Sequence, residues 1–334
     1  MVICLICLSG CGVYMTYPSL NNSARWKVVA HNDTLLFRAS NAKWRIDSVL
    51  NDDSKQVYHH TELSSFKLPA SEMRPGINDV RLTFFVNGKK KRVLEHVFMV
   101  SDIEPKQVRV DNYRFLPHDE MAFTQGLLWW DGHLYESTGL VGESSLRIID
   151  PENGSIIRKQ SLNPKIFAEG IALLDTKLIL LTWKDGEVYE FDKDLNETNV
   201  LPYEQEGWGL TQEAGRLIAS NGTNELLMLS SLYNKKDSCL VYNHRGPVQY
   251  LNELECIKGF IWANVLGVDR LVVINPTTGK VEIEVDVGPC IDRKQYPNAG
   301  VLNGIAYDPH QELVYLTGKN WPYIIVWHPP FFDK

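Results

Sequence analysis

One pattern recurs five times after about residue 107, and it limits the possible fold more than any other feature of the sequence. Each copy has a short polar signature, an apolar strand, a turn, and a second strand that opens with Leu or Phe. The second strands begin at residues 134, 178, 217, 260 and 313, so successive copies are 44, 39, 43 and 53 residues apart. A period of about forty residues is typical of the four-stranded blades of a β-propeller. The repeat therefore predicts an all-β fold with a five-bladed β-propeller over residues 107–334.

The last copy ends one strand short, at residues 323–327. Two strand-like segments, residues 108–110 and 113–115, precede the first copy and are expected to fill that gap. Closing the ring with an N-terminal strand removes open sheet edges, which otherwise promote aggregation.

Residues 21–106 have a different character, with short alternating strand patterns and no helical periodicity. The strongest signal is a hairpin, because residues 80–86 and 93–100 flank the turn dipeptide Asn87-Gly88. This density of short strands predicts a small immunoglobulin-like β-sandwich. No catalytic constellation is evident in this region, so we expect a spacer or docking module.

The N-terminus carries a candidate export signal over residues 1–20. An apolar run at residues 2–8 is much shorter than the roughly 20 residues of a membrane-spanning helix. It leads into residues 8–11 (LSGC), which resemble the lipobox of bacterial lipoproteins. This predicts cleavage before Cys11, a lipid on that thiol, and anchoring in the bacterial cell envelope. The alternative is an uncleaved apolar N-terminus, because no Lys or Arg precedes the run.

Charge and residue spacing argue against several functions. The net charge of -7 argues against nucleic-acid binding, which needs clustered Lys and Arg. The nine His show no spacing typical of metal ligands, so neither a metal nor another cofactor is predicted. His118 is expected at the surface. Cys239, Cys256 and Cys290 are expected to be buried structural thiols. An oxidising compartment would also permit one disulfide, whose pairing the sequence does not determine.

The polar signatures at the starts of the inner strands form the candidate site. Propellers place these strand starts around one end of the central channel. Charged and amide side chains are seldom buried without partners, so their convergence predicts a polar pocket. The alternative is that they form hydrogen bonds between neighbouring blades. The residues concerned are Gln125, Glu169, Trp208, Glu253, Glu255 and Asn303.

Aromatic residues supply the second part of the predicted pocket. They occur in the signatures, at the ends of second strands, and beside a lysine that follows the second strand of the last copy. Each Trp alone is more typical of a core, but together these residues are expected to wall a pocket for an uncharged side chain. The residues are Phe123, Phe167, Trp183, Trp208, Trp262 and Trp321, with Lys319 as the neighbouring cation.

A series of motifs resembles the glutaminyl-peptide cyclotransferases of plants and bacteria over roughly residues 113–328. The order of the motifs makes the series specific, although each motif alone is weak. The resemblance implies a five-bladed propeller that converts N-terminal glutamine to pyroglutamate, releases ammonia and needs no metal. It also implies a catalytic glutamate in a Phe-x-Glu-Gly motif, here Glu169, with Ala168 where Gly is expected. The motifs are FTQGL (123–127), YESTGL (135–140), GWGL (207–210), LNELE (251–255), WAN (262–264), LNGIA (302–306) and TGKNWP (317–322).

The residue types fit that reaction. The α-amine of the substrate attacks its own γ-carboxamide, so no enzyme nucleophile is needed, and the sequence has no Gly-x-Ser-x-Gly motif. An α-amine with a pKa of about 7.7–8.0 is largely protonated at neutral pH, so a carboxylate must accept a proton and pass one to ammonia. Glu169 is predicted for this role, and Lys319, Gln125 or Asn303 for stabilising the oxyanion. The chain is expected to act as a monomer on peptide or protein N-termini.

Two other functions remain open on the sequence alone. A non-catalytic cell-surface propeller would bind a peptide or glycan, but it would not need an isolated carboxylate such as Glu169. A calcium-dependent propeller hydrolase or lactonase would need several acidic and amide residues around the axis. Glu169, Glu253, Glu255 and Asn303 provide part of such a set.

Overall fold

The computed structural model describes residues 13–16, 27–39, 45–51, 56–59, 64–86, 89–231 and 233–332. The chain divides into two compact units. The first unit comprises Met1–Glu104 with the later segment Tyr242–Pro247, and the second comprises Pro105–Val241 and Val248–Lys334. Cys11 lies outside the described residues, so its lipid attachment stays a prediction. Within the described ranges, no helix has the length and apolar character that a membrane span requires.

The first unit contains two β-sheets that share one hydrophobic core. Its first eight strands are β1 Val13–Thr16, β2 Lys27–Ala30, β3 Thr34–Ala39, β4 Ile46–Asn51, β5 Val57–His59, β6 Ser65–Pro69, β7 Gly76–Val86 and β8 Lys89–Val100, with a 3-10 helix at Ala70–Glu72. The strand orders are β1-β3-β6 and β2-β8-β7-β4-β5. Phe37 and Phe66 of the smaller sheet pack with Phe84 and Val97 of the larger one.

Strands β7 and β8 form the longest pairing in this unit. They are antiparallel, with Val86 opposite Lys89 and Phe84 opposite Lys91, which confirms the predicted pairing. The turn residues Asn87 and Gly88 lie outside the described residues. Two sheets on one core are the arrangement of a β-sandwich, whereas its immunoglobulin-like type stays a prediction.

The second unit is built almost entirely from strands. Its first strands are β9 Lys106–Arg109, β10 Arg114–Pro117, β11 Thr124–Trp130, β12 His133–Thr138, β13 Ser145–Ile149, β14 Ile156–Ser161, β15 Ala168–Leu174, β16 Lys177–Thr182, β17 Glu187–Phe191, β18 Glu197–Pro202, β19 Leu210–Glu213, β20 Arg216–Ala219, β21 Glu225–Leu229 and β22 Lys235–Leu240. A hairpin of β23 Tyr242–Asn243 and β24 Gly246–Pro247 then belongs to the first unit. The remaining strands are β25 Leu251–Ile257, β26 Phe260–Val265, β27 Arg270–Ile274, β28 Val281–Asp286, β29 Leu302–Asp308, β30 Leu313–Gly318 and β31 Tyr323–Trp327, with a 3-10 helix at Gly288–Cys290.

These strands form five antiparallel sheets arranged as blades. Four blades are consecutive runs, β11–β14, β15–β18, β19–β22 and β25–β28, and the fifth has the order β10-β31-β30-β29. The inner strands β11, β15, β19, β25 and β29 contact one another in that order, and β29 contacts β11 again. This ring of inner strands confirms the predicted five-bladed propeller.

Ring closure uses only one of the two predicted segments. Strand β10 pairs with β31, with Phe115 opposite Ile325, and so supplies the outer strand of the fifth blade. Strand β9 instead runs parallel to β28, with Val108 opposite Val285, as a fifth strand of the fourth blade. The prediction that residues 108–110 close the fifth blade was therefore wrong. The chain thus adds an outer strand to the fourth blade and then to the fifth blade before it forms the first blade.

Candidate active site

The polar signature residues lie in β-bulges near the starts of the inner strands. In the first blade, the pairing register shifts between Thr124 and Gly126. Equivalent shifts occur at residues 168–171, 251–254 and 302–305. A bulge leaves a residue unpaired and re-aims its side chain. The polar residues placed in these bulges, all buried, are Gln125, Glu169, Asn252, Glu253 and Asn303.

Glycines beside these residues allow neighbouring inner strands to approach closely. The Gly170 amide donates a hydrogen bond to the Trp208 carbonyl at 2.7 Å, and a Cβ on Gly170 would lie 2.5 Å from the Leu210 nitrogen. A Cβ on Gly209 would lie 2.0 Å from the Asn252 carbonyl oxygen. Any larger residue at these positions would therefore push adjacent blades apart.

Three of the predicted site residues form one hydrogen-bonded chain across three blades. Asn303 Nδ2 donates to Gln125 Oε1 at 3.1 Å and to the Thr124 carbonyl at 3.0 Å. Gln125 Nε2 donates to Glu169 Oε1 at 3.2 Å. Among the described residues, no hydrogen bond reaches Glu169 Oε2, so this buried carboxyl keeps an oxygen for an outside partner.

Lys319 is the cation that acts on Glu169. Burial raises the pKa of Glu169 well above its usual value; the charge of Lys319 opposes this increase and that of Glu206 adds to it. Burial likewise lowers the pKa of Lys319, against the attraction of Glu169. The Nζ of Lys319 makes no hydrogen bond or ion pair with any of the described residues, and it lies 4.7 Å from the centroid of the Phe123 ring. The site therefore holds a buried acid with a raised pKa beside an ammonium that has no hydrogen-bond acceptor among the described residues.

Four aromatic residues, Phe123, Phe167, Trp183 and Trp208, form what we call the aromatic wall. Phe123 and Phe167 meet edge to face at 6.4 Å, and Phe167 lies 5.6 Å from Trp183. A Cβ at Gly139 would lie 2.5 Å from Phe167 and 3.0 Å from Gln125, so glycine is required where the wall meets the amide. The Phe167 ring and the Gln125 side chain thus both lie against Gly139.

Glu206, which the sequence did not point to, connects Trp208 to Trp183 in the aromatic wall. Its Oε1 accepts hydrogen bonds from Trp183 Nε1 at 2.6 Å and from Trp208 Nε1 at 3.1 Å. Glu206 lies in a loop, where strand periodicity does not predict side-chain direction. The available signal was its position immediately before the Gly207-Trp208-Gly209 signature.

Comparison with known proteins agrees with this fold. Residues 86–326 match the family model described as glutamine cyclotransferase. The chain belongs to this family. A glutaminyl-peptide cyclotransferase of Arabidopsis thaliana is 34% identical over 214 residues, which are 62% of this chain and 67% of that relative. The crystal structure of Myxococcus xanthus glutaminyl cyclase is 33% identical with a TM-score of 0.62, covering 67% of this chain and 97% of that protein.

In this member of the glutamine cyclotransferase family, two predicted acids do not join the site. Glu253 Oε1 accepts a hydrogen bond from the Leu127 amide at 3.3 Å, and Glu255 Oε2 accepts one from Thr211 Oγ1 at 3.3 Å. Burial raises the pKa of Glu255 to about 8 and that of Glu253 well above its usual value. The prediction that both bind substrate at the rim is corrected, because both carboxyls are buried and accept hydrogen bonds from the neighbouring inner strands β11 and β19.

Two predicted wall residues also lie elsewhere. Trp262 is 1% exposed and packs in the propeller core, 6.4 Å from Trp327 and 5.8 Å from Phe331. Trp321 is fully buried, and its Nε1 donates to the Gly300 carbonyl at 3.0 Å. The assignment of these indoles to the substrate pocket was wrong, because both side chains pack into the hydrophobic core that the fourth and fifth blades share.

A buried ionic network supports the site from the first blade. His118, expected at the surface, is buried; its Nε2 lies 2.9 Å from Glu136 Oε1, and its Nδ1 lies 2.9 Å from the Trp321 carbonyl. Arg147 lies 3.4 Å from Glu136 Oε2, and Thr124 Oγ1 donates to Oε1 at 2.7 Å. The network thus fixes the start of β11 and the loop that follows Lys319.

Replacing Glu136 by Gln should lower the free energy of unfolding by about 3–5 kcal/mol, because it leaves buried His118 and Arg147 without their carboxylate. Burial raises the pKa of Glu136, but the charges of His118 and Arg147 leave it below 4.5. Burial lowers the pKa of His118, but Glu136 leaves it above 6.5.

The Glu136 contribution is lost as pH falls through its folded pKa, and the His118 contribution is lost as pH rises through its folded pKa. The effect of Glu136→Gln should therefore be largest between pH 4.5 and 6.5. Urea unfolding of the full chain at several pH values measures it, with exposed Glu152→Gln as the control. Equal stability of the two variants would contradict a structural role for the network.

No group of three or more His, Cys, Asp or Glu with metal-binding geometry occurs in the part of the chain that the structure describes. Cys239, Cys256 and Cys290 are free thiols; Cys290 is buried and the other two are partly buried. Burial raises the pKa of all three to about 11, as expected for unreactive thiols.

Proposed function

We propose that the propeller cyclises N-terminal glutamine of peptides or proteins to pyroglutamate and releases ammonia, with Glu169 as the proton carrier. The observation that carries this proposal is the buried Glu169 carboxyl, which accepts a hydrogen bond from Gln125 on one oxygen and keeps the other unbonded among the described residues. Membership of the glutamine cyclotransferase family supports the same reaction. The curated relative and the solved relative carry this activity in their names.

The reaction needs one nitrogen–carbon bond to form and another to break. The α-amine nitrogen attacks the γ-carboxamide carbon, which becomes tetrahedral and places negative charge on its oxygen. Glu169 accepts the proton that the amine loses and delivers a proton to the departing nitrogen, which leaves as ammonia. Glu169 thus returns to its starting state, and such proton transfer typically contributes about 10²–10⁴-fold to the rate.

Among the three predicted oxyanion donors, the hydrogen bonds favour Lys319. Asn303 and Gln125 already donate to neighbouring oxygens, whereas the Lys319 ammonium donates no hydrogen bond to any of the described residues. A charged donor in a desolvated site stabilises a developing oxyanion strongly. Asn303 and Gln125 would then hold Glu169 in place rather than contact the reacting oxygen.

The aromatic wall would hold the substrate glutamine in the folded conformation that ring closure requires. Ring closure requires the amine and the carboxamide carbon of one residue to meet, and holding reacting groups in this way contributes up to about 7–11 kcal/mol in favourable cases. Flat aromatic faces suit the uncharged carboxamide and the methylene arm of glutamine. The wall also keeps bulk water away from Glu169.

Ammonia release from a peptide with N-terminal glutamine tests this function directly. We expect the purified full chain to release ammonia and to yield a product lighter by the mass of one ammonia. Chelator should leave the rate unchanged. Absence of ammonia would favour the non-catalytic binding module, and a rate abolished by chelator and restored by calcium would favour the propeller hydrolase.

We also propose that the chain is exported, lipid-anchored through Cys11 in a bacterial cell envelope, and monomeric. Support comes from the LSGC motif at residues 8–11 and from a ring of blades that closes within one chain. Mass spectrometry of the mature N-terminus from a bacterial host tests the lipid, and light scattering of the released protein tests the monomer. An unmodified N-terminal Met1 would contradict the anchor.

A further inference from the structure

Glu206 occupies a loop position that connects two blades at the site. It lies between β18 and β19, and its Oε1 receives the indole N–H of Trp183 at 2.6 Å and that of Trp208 at 3.1 Å. Trp183 follows the second strand of one blade, whereas Trp208 precedes the first strand of the next. One carboxylate oxygen therefore fixes the relative orientation of two side chains from different blades.

The two indoles need such an acceptor because an indole N–H can only donate. Trp183 is 36% exposed, so packing alone does not lock its ring. Trp208 lies against Gly222, where a Cβ would be 2.7 Å from the ring. Hydrogen bonds to a charged acceptor are among the stronger ones in proteins. Without Glu206, the exposed indole would be free to change rotamer.

The charge of Glu206 acts on the reacting group as well. Lys319 and Glu206 are the charged groups that influence Glu169, and they act in opposite directions. Lys184 Nζ lies 4.0 Å from Glu206 Oε1 and 4.2 Å from the Trp183 ring centroid, at the exposed side of the pair. The Glu206 side chain is 37% exposed, whereas Glu169 is buried.

We propose that Glu206 is a positioning residue for this reaction, which orients Trp183 and Trp208 on the glutamine-binding wall. This inference rests on the proposed function. Its negative charge also opposes ionisation of Glu169. The two effects are separable, since a carboxamide keeps the acceptor oxygen but loses the charge.

The test uses Glu206→Gln and Glu206→Ala in the full chain, with exposed Glu204→Gln as a control for charge in the same loop. With the alanine variant, KM for a glutaminyl peptide should rise about tenfold, as expected for loss of a charged hydrogen-bond acceptor. With the glutamine variant, KM should stay within about twofold because the acceptor remains. In both Glu206 variants, the limb of the pH–rate profile that reports Glu169 should move to lower pH. The control should change neither quantity.

An activity-independent measurement separates this inference from the proposed function. Indole N–H signals of ¹⁵N-tryptophan-labelled protein can be assigned by Trp183→Phe and Trp208→Phe. Both signals should shift and exchange faster with water in Glu206→Ala but keep slow exchange in Glu206→Gln. The inference would be overturned if Glu206→Ala kept the indole signals, the KM and the pH profile of the parent protein. If the indole signals shift in Glu206→Ala but the parent chain has no cyclase activity, the proposed function is refuted and the contact of Glu206 with the two indoles still stands.

Discussion

Replacing Glu169 by Gln should lower kcat for glutamine cyclisation by about 10²-fold or more, because the amide cannot carry the proton between the amine and ammonia. The amide is nearly isosteric and can still accept the hydrogen bond from Gln125. Burial raises the pKa of Glu169, so loss of this ionisable group should not destabilise the fold at neutral pH. The measurements are kcat at pH 7–8 and thermal unfolding of the same preparation.

A matched control exists on another inner strand. Glu255 is also buried and has a raised pKa, but it lies outside the cluster of Gln125, Glu169 and Asn303. Glu255→Gln should leave kcat within about twofold of the parent. If Glu169→Gln keeps parental kcat, then Glu169 only connects blades through Gln125. A general loss of activity in both variants would indicate damage to the propeller rather than to a proton carrier.

A peptide that begins with glutamate should react about a thousandfold more slowly than one that begins with glutamine at pH 7–8. Its side chain would bring a second negative charge towards Glu169 and Glu206. Like charges about 4 Å apart cost about 4 kcal/mol at an effective dielectric of 20, which corresponds to roughly a thousandfold in rate or affinity. Measuring kcat/KM for the two peptides tests this expectation.

Two controls sharpen the comparison. Reaction with glutamate should be confined to acidic pH, where one of the carboxyl groups is protonated. A peptide that begins with asparagine should not react, because its shorter arm would have to close a four-membered ring. Comparable kcat/KM values for glutamine and glutamate would mean that Lys319 neutralises the second carboxylate. That result would contradict the assignment of Lys319 to the oxyanion.

The two alternative functions differ from the cyclase in what they require of the channel. A calcium-dependent hydrolase would need several acids around one point, but Glu169, Glu253 and Glu255 do not form one group. Glu169 bonds with Gln125, whereas Glu253 and Glu255 accept hydrogen bonds from the Leu127 amide and from Thr211. A pure binding module would have no evident need for the buried carboxyl of Glu169.

Much of the fold could be predicted because propeller blades repeat in sequence as they do in space. The spacing of second strands gave the number of blades, whereas the close approach of inner strands at Gly126 and Gly170 was visible only in the structure. The prediction of the closing strand was only half correct, since residues 106–117 supply outer strands to two blades rather than to one. Which sheet edge accepts a short strand depends on which edge is open after folding.

The repeat pattern alone shows that Gln125, Glu169 and Asn303 lie near the starts of equivalent strands, and a ring of blades brings equivalent positions together. The direction and the bonding partner of each side chain follow only from the folded chain. Strand alternation predicts which face a side chain takes, but not which neighbouring strand it bonds to, so Glu253 and Glu255, which bond to other inner strands, were wrongly placed at the rim. Trp262 and Trp321 were misassigned for a related reason, since an indole fits a core as well as a pocket. Glu206 and His118 lie in loops, where only contacts with distant strands set the direction of a side chain.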